Sequence, residues 1–252
     1  MTRYSIIELG EVDSTSIYAR THLRGLAHGH VIHARAQTAG RGRWQRSWVS
    51  HIPGNLCLTL VLKPAHEPVS DLPLANLSQL LAVSLCRVLG SFGVHATLKW
   101  PNDIQVSGSK IAGILAETVV EGQVFLGLLL GIGVNLNLDA TTLAAIDQPA
   151  TSLSLVLGHQ VDVAAFRDSL LAAFFERYED FLEAGFGLIR EEYLRRFPFI
   201  GQTVEIRWPM GGGRGQVRTV NEQGALELLA PSGEVETITL GEIFPASSGS
   251  SV

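Results

Sequence analysis

Residues 110–134 read KIAGILAETVVEGQVFLGLLLGIGV, and this stretch decides the fold. Two apolar runs, 111–120 and 124–134, flank Glu121-Gly122, a dipeptide suited to a tight turn. The second run is broken by glycines and too short to cross a bilayer. Its residues 125–130 are apolar on both faces, which places them in a sheet covered at least partly by helices. The stretch therefore predicts a β-hairpin in the middle of a helix-covered sheet.

Working outward, residues 94–100 and 104–106 read as further strands, with Ser107-Gly108-Ser109 as a turn before the hairpin. Upstream, residues 4–9, 31–36 and 56–62 have strand composition. Asp13-Ser14-Thr15 signals a helix start, with a helix over 17–26 ending near Gly29. Leu74, Leu77, Leu80, Leu81, Leu85 and Val88 recur at helical spacing ahead of Gly90. Downstream, a long helix over 163–184 presents Phe166, Leu170, Phe174, Phe181 and Leu182, and a shorter one is stopped by Pro198. After Gly201 the texture changes to short strands at 203–208, 215–220, 225–229 and 235–240. Gly211-Gly212-Gly213, Asn221 to Gly224 and Pro231-Ser232-Gly233 separate them as turns. The expected organisation is an α/β unit over 1–199, a compact β-barrel over 200–246 and a disordered tail over 247–252.

The 252 residues are 46% apolar and 17% charged, a composition that builds a core and excludes intrinsic disorder. A net charge of −5 argues against broad binding to nucleic acid or anionic membranes. Two cysteines, Cys57 and Cys86, exclude a disulfide framework and a cysteine-rich zinc module; both sit in apolar runs and read as core. No long apolar segment precedes Glu8, so no signal peptide is visible and a soluble, cytoplasmic chain is expected.

Three segments stand out as chemistry. Residues 37–48 read QTAGRGRWQRSW, with three arginines and two glycines within seven residues and two flanking tryptophans. Glycines allow close backbone approach, arginine forks bind carboxylate or phosphate, and an indole can stack a base. The same composition also describes a solvated basic loop. It is neither a phosphate-binding loop nor a dinucleotide fingerprint. Lys99-Trp100-Pro101-Asn102-Asp103 contains an ordinary turn, but Lys110 then opens a nearly apolar strand beside Gly113. That lysine either points into a pocket or snorkels to solvent. Gly131-Ile132-Gly133-Val134-Asn135 places glycines inside a strand, as a bulge or where something approaches closely.

In this order, Gly40 to Arg43, Lys99 to Asp103, Lys110 to Leu115 and Gly131 to Asn135 closely resemble the motifs of biotin–protein ligases. Asp13 to Thr15, Gly224-Ala225-Leu226 and Gly241-Glu242-Ile243 match as well, so the resemblance covers almost the whole chain. It implies a mixed α/β sheet shared with class II aminoacyl-tRNA synthetases and lipoate ligases, followed by an SH3-like barrel. It implies synthesis of biotinyl-5′-adenylate from biotin and MgATP, then transfer to one lysine of a biotin carboxyl carrier protein. Homodimers formed by edge strands occur in the family. By resemblance, Ser14, Thr15 and Gln37 contact the biotin ring system, and Gly40, Arg41, Gly42 and Arg43 form a loop over biotin and adenylate. Lys110 contacts the carboxylate and bridging phosphate, and with Arg41 carries the catalysis. Gly113 and Gly133 let strand backbones lie against biotin. Trp48 packs on adenine, Asn135 hydrogen-bonds it, and Asn102 and Asp103 lie near the phosphates, metal or acceptor lysine. Ser16 stands where asparagine is frequent, and Trp44 to Ser47 replace a more basic run. Some relatives carry an N-terminal DNA-binding domain; this chain starts at the Tyr4 strand, so no nucleic-acid partner is expected. A lipoate–protein ligase on the same fold, or a binding module without catalysis, are the competing readings.

Overall fold

The computed structural model describes residues 4–64 and 76–246; Leu74 and the expected tail lie outside them. Seven strands form one sheet: β1 (Ser5–Val12), β2 (His30–Gln37), β3 (Leu56–Leu62), β4 (Ala96–Lys99), β5 (Asp103–Val106), β6 (Ser109–Glu121) and β7 (Val124–Val134). Their order is β1-β2-β3-β7-β6-β5-β4. Only β1 and β2 run parallel; the other pairs are antiparallel. The β6–β7 hairpin stands inside this sheet, as its alternation-free apolar runs require, and turns at Gly122 with φ +61°. Its register sets Gly113 opposite Gly133, and Gly133 opposite Cys57 on β3, which leaves a flat patch of backbone.

Helices α2 (Leu77–Ser91), α5 (Val163–Ala184) and α6 (Gly187–Arg195) cover one face. Leu80, Leu81, Leu85, Leu170, Phe174 and Ile189 are fully buried there with Leu58, Leu60 and Leu130 of the sheet. Each such side chain contributes about 1.5–3 kcal/mol by leaving water. On the other face α1 (Thr15–His22) sets Ala19 against Ile32, Val61 and Leu129. This helix stops short of Leu26 because a 3-10 turn, Leu23–Gly25, follows it. Lys63 Nζ donates to the carbonyls of Leu23 and Leu26 and satisfies that end. Two helices were not expected, α3 (Ala140–Ala144) and α4 (Leu153–Leu157). Five residues are too few to show a period; only their caps, Asp139 and Ser152, announce them.

The C-terminal strands are β8 (Thr203–Trp208), β9 (Gly211–Val220), β10 (Leu226–Leu229), β11 (Val235–Ile238) and β12 (Glu242–Pro245). They form an antiparallel sheet in the order β11-β10-β9-β8-β12. The expectation of a closed barrel is corrected: among the described residues no pairing joins β11 to β12. Gly211 to Gly213 also belong to a strand rather than a turn, because β8 crowds them. A Cβ on Gly212 would stand 2.7 Å from the Ile206 carbonyl oxygen, and one on Gly211 2.8 Å from Trp208 Nε1. This sheet is fastened to the larger one. Trp100 Nε1 and Gln79 Nε2 both donate to the Gly224 carbonyl, at 3.1 and 3.0 Å, and Arg190 Nε donates to Val220 at 3.0 Å. No helix among the described residues is long and apolar enough to cross a membrane.

Candidate functional site

A cleft of about 550 Å³ lies on the face of β3, β6 and β7 that α1 borders. Its floor is the glycine patch with Thr59, Leu115 and Gly131, and the arginine loop after β2 lies over it. The end nearest α1 is polar and buried. Thr15 donates its backbone N–H to Gln37 Oε1 at 2.8 Å, and its hydroxyl lies 3.1 Å from that oxygen and 2.9 Å from Thr59 Oγ1. Ser14 Oγ and Ser16 Oγ are 2.9 Å apart. Gln37 Nε2 donates to Ser50 Oγ at 3.1 Å. Such a knot of satisfied but rearrangeable donors and acceptors suits a neutral ligand head with its own N–H and C=O groups.

The opposite end is cationic. Lys110 Nζ lies 2.7 Å from Asp103 Oδ1, with both side chains about five-sixths buried. The β5–β6 register brings them together, since Gln105 pairs with Lys110 and Asp103 with Gly113. Arg43 Nη1 reaches Asn102 Oδ1 at 3.4 Å and the Gly241 carbonyl at 3.0 Å. Burial lowers the Arg43 pKa, opposed by Glu242 and Asp103; guanidinium stays charged regardless. Burial likewise lowers Lys99, against the pull of Asp103 and Glu242. Cations held in low dielectric beside Asp103 and Glu242 suit two anions that must be brought together.

Between the two ends sits Trp48. A Cβ on Gly133 would stand 2.3 Å from its indole Cε2, so the ring rests directly on the strand backbone. Lys110 Nζ is 5.6 Å from the centre of the indole. Trp48 thus lies on the glycine patch where the resemblance places biotin. Of the residues singled out from sequence, Ser14, Thr15, Gln37, Arg41, Gly42, Arg43, Trp48, Asn102, Asp103, Lys110, Gly113, Gly133 and Asn135 line the cleft. Gly40 does not. It lies under the loop, where a Cβ would meet Ser50 Oγ at 2.3 Å and the Trp48 carbonyl at 2.5 Å. Asn135 is buried, and its Nδ2 donates to the Thr151 carbonyl at 3.1 Å.

Sequence reasoning missed Thr59, the 145–150 segment and Glu242, which all line the cleft. A lone hydroxyl in the apolar run 56–62 was a usable signal for Thr59. The 145–150 segment carries no pattern. Among the described residues no group of three or more His, Cys, Asp or Glu side chains could cage a metal. Three carboxylates, Asp103, Asp147 and Glu242, line the cleft, and an ion of the magnesium type, which keeps its waters, needs only one or two of them together with substrate phosphates.

The profile of the biotin/lipoate A/B protein ligase family matches residues 9–135. A biotin–[acetyl-CoA-carboxylase] ligase of Paracoccus denitrificans is 37% identical over 94% of this chain and 98% of its own length. One from Mycobacterium tuberculosis is 32% identical over 85% of this chain and 78% of its own. The structure of biotin protein ligase from Aquifex aeolicus in complex with biotin and ATP superposes with a TM-score of 0.79. It is 27% identical and covers 95% of this chain and 97% of that one. The chain belongs to the biotin/lipoate A/B protein ligase family.

Proposed function

We propose that this protein is an ATP-dependent ligase that makes biotinyl-5′-adenylate and passes biotin to a lysine of a biotin carboxyl carrier protein. The observation that carries this is the cleft itself: four separated motifs meet there, polar at one end and cationic at the other. A biotin carboxylate oxygen attacks the α-phosphorus of ATP and pyrophosphate leaves. A neutral acceptor amine then attacks the acyl carbon, AMP leaves, and the amine loses a proton.

Each residue has a stated job in this reading. Ser14, Thr15 and Gln37 hold the ureido head, and Gly113 and Gly133 admit the ring and chain once the Trp48 indole lifts from them. Lys110 meets the carboxylate and α-phosphate, and Arg41 and Arg43 spread the remaining charge. Asn135 and Trp48 take adenine. Asp103 would hold Mg²⁺, which would neutralise phosphate charge when bound, and Asn102 steadies the turn through its donation to the Ile114 carbonyl. Asp103 would also orient the acceptor amine or accept its proton. The loop and Trp48 exclude water from a labile acyl-adenylate. Residues 1–199 form the catalytic unit and 200–246 a small SH3-like unit that buttresses it. The test is ATP–pyrophosphate exchange, which should require biotin and ignore lipoate; exchange driven by lipoate would replace this reading with lipoate ligation.

A further inference from the structure

The arginine loop is held from two sides by carboxylates that lie outside it. Arg46 Nη1 is 2.7 Å from Glu242 Oε2 at the start of β12, one residue after the Gly241 carbonyl that Arg43 engages. On the other side Arg41 Nη1 is 3.6 Å from Glu117 Oε1 on β6, an oxygen that also accepts from Arg20 Nη2 at 3.0 Å. The acids are the fixed ends: the Glu242 and Glu117 side chains are 13% and 17% exposed, against 57% and 39% for Arg46 and Arg41.

Besides these pairs the loop has its own backbone bonds, Gly42 N–H to the Arg46 carbonyl at 2.7 Å and Trp48 N–H to the Gly40 carbonyl at 2.9 Å, and the seat of Trp48 on Gly133. None of Arg43, Trp44 and Gln45 in its 3-10 turn is buried. Trp44 and Gln45 both have positive φ, 53° and 61°, a region unfavourable for side chains of that size. Such a conformation persists only where its surroundings over-determine it. Residue 242 is 196 positions from residue 46 and belongs to the C-terminal sheet, so this sheet reaches into the wall of the cleft.

We propose that Glu242 and Glu117 are positioning residues that latch the arginine loop over the cleft, with the C-terminal sheet supplying one of the two latches. The proposal rests on the ligase reading only for what the loop encloses; the latch is a property of the free chain. The full-length protein is digested with limiting trypsin in the absence of ligands, and cleavage after Arg43 is followed by mass. Glu242→Gln and Glu117→Gln should each speed that cleavage roughly threefold to tenfold, the scale of a partly exposed charge-assisted contact. Thermal unfolding and cleavage elsewhere should stay at the wild-type level. Glu242→Asp should recover part of the protection, and Arg46→Gln should make Glu242→Gln silent. In ATP–pyrophosphate exchange the two variants should raise KM for ATP more than they lower kcat, since the loop must now be ordered on binding. If Glu242→Gln fails to fold, wild-type cleavage after Arg43 is measured against salt, normalised to a free peptide of the loop; it should rise as the ion pairs are screened. Wild-type cleavage rates in both variants, or no salt response, would overturn the latch. An absent exchange reaction with altered cleavage would overturn the ligase reading and leave the latch standing.

Discussion

Replacing Gly133 by alanine isolates the contact on which the cleft is organised. In the middle of a strand this change ordinarily stabilises by about 0.5–1 kcal/mol. Here the new Cβ would stand 2.3 Å from Trp48 Cε2 and Nε1 and 2.8 Å from Cζ2, so the indole must retreat by about 1 Å or leave. No residue from 41 to 49 is buried, so the loop that carries Trp48 can yield and the fold should lose only about 1 kcal/mol, a drop of about 2–4 °C in Tm. The reaction should suffer more. A methyl would rise from the floor against which biotin is to lie, and a displacement of ~1 Å in a positioning group can cost ~100-fold. The assay is biotin-dependent ATP–pyrophosphate exchange beside thermal unfolding. Gly10→Ala is the control, since Gly10 lies on β1 outside the cleft and a Cβ there meets nothing within 4 Å. Trp48→Ala should absorb part of the Gly133→Ala defect, because it removes the clashing ring. Exchange by Gly133→Ala within threefold of wild type, with Gly10→Ala equally active, would refute the reasoning.

Other consequences can be checked the same way. Lys110→Ala and Arg41→Ala should each cut adenylate formation more than tenfold with the fold intact, from loss of a charge contact worth about 1.5–3 kcal/mol; wild-type rates at saturating biotin and ATP would contradict it. Burial pushes the Cys57 and Cys86 thiols up to about 12, so both should resist a thiol reagent at pH 8 until the chain is unfolded. Burial alone would raise the Glu192 carboxyl, but hydrogen bonds from Arg87 and the charges of Arg87, Arg196 and Arg177 hold it below its ordinary value. Its contribution is therefore present above the unfolded-state pKa and lost as pH falls through the lower folded value. Glu192→Gln should destabilise by about 1–3 kcal/mol at pH 7, and the gap from wild type should close below about pH 4.5 in denaturant titrations.

The sheet was legible where burial writes itself as long apolar runs, as in β3, β6 and β7. Lys110 and Asp103 were legible as chemistry but not as a pair, because their meeting depends on the β5–β6 register and its shift between Ile104 and Gln105. The loop read as cationic and glycine-hinged, yet not as resting on Gly133, since no local pattern tells a strand which ring will lie on it. Gly40 differs from its neighbours in the loop, because it does not line the cleft. It belongs to the same motif as Arg41, but it is glycine because Ser50 and the Trp48 carbonyl crowd it. Gly211 to Gly213 read as a turn because three glycines usually make one; contacts with Ile206 and Trp208 make them strand instead. Glu242 had a motif around it and no visible role, because its partner Arg46 is distant in sequence.

The central claim is that one cleft activates biotin with ATP and hands it to a protein lysine. It is tested most directly by incubating the protein with biotin, MgATP and a biotin carboxyl carrier domain and reading the intact mass of the carrier. The account predicts a gain of one biotinyl group on a single lysine, dependent on ATP and lost in Lys110→Ala. A carrier of unchanged mass, beside a folded enzyme and a carrier that a known ligase does modify, would contradict it.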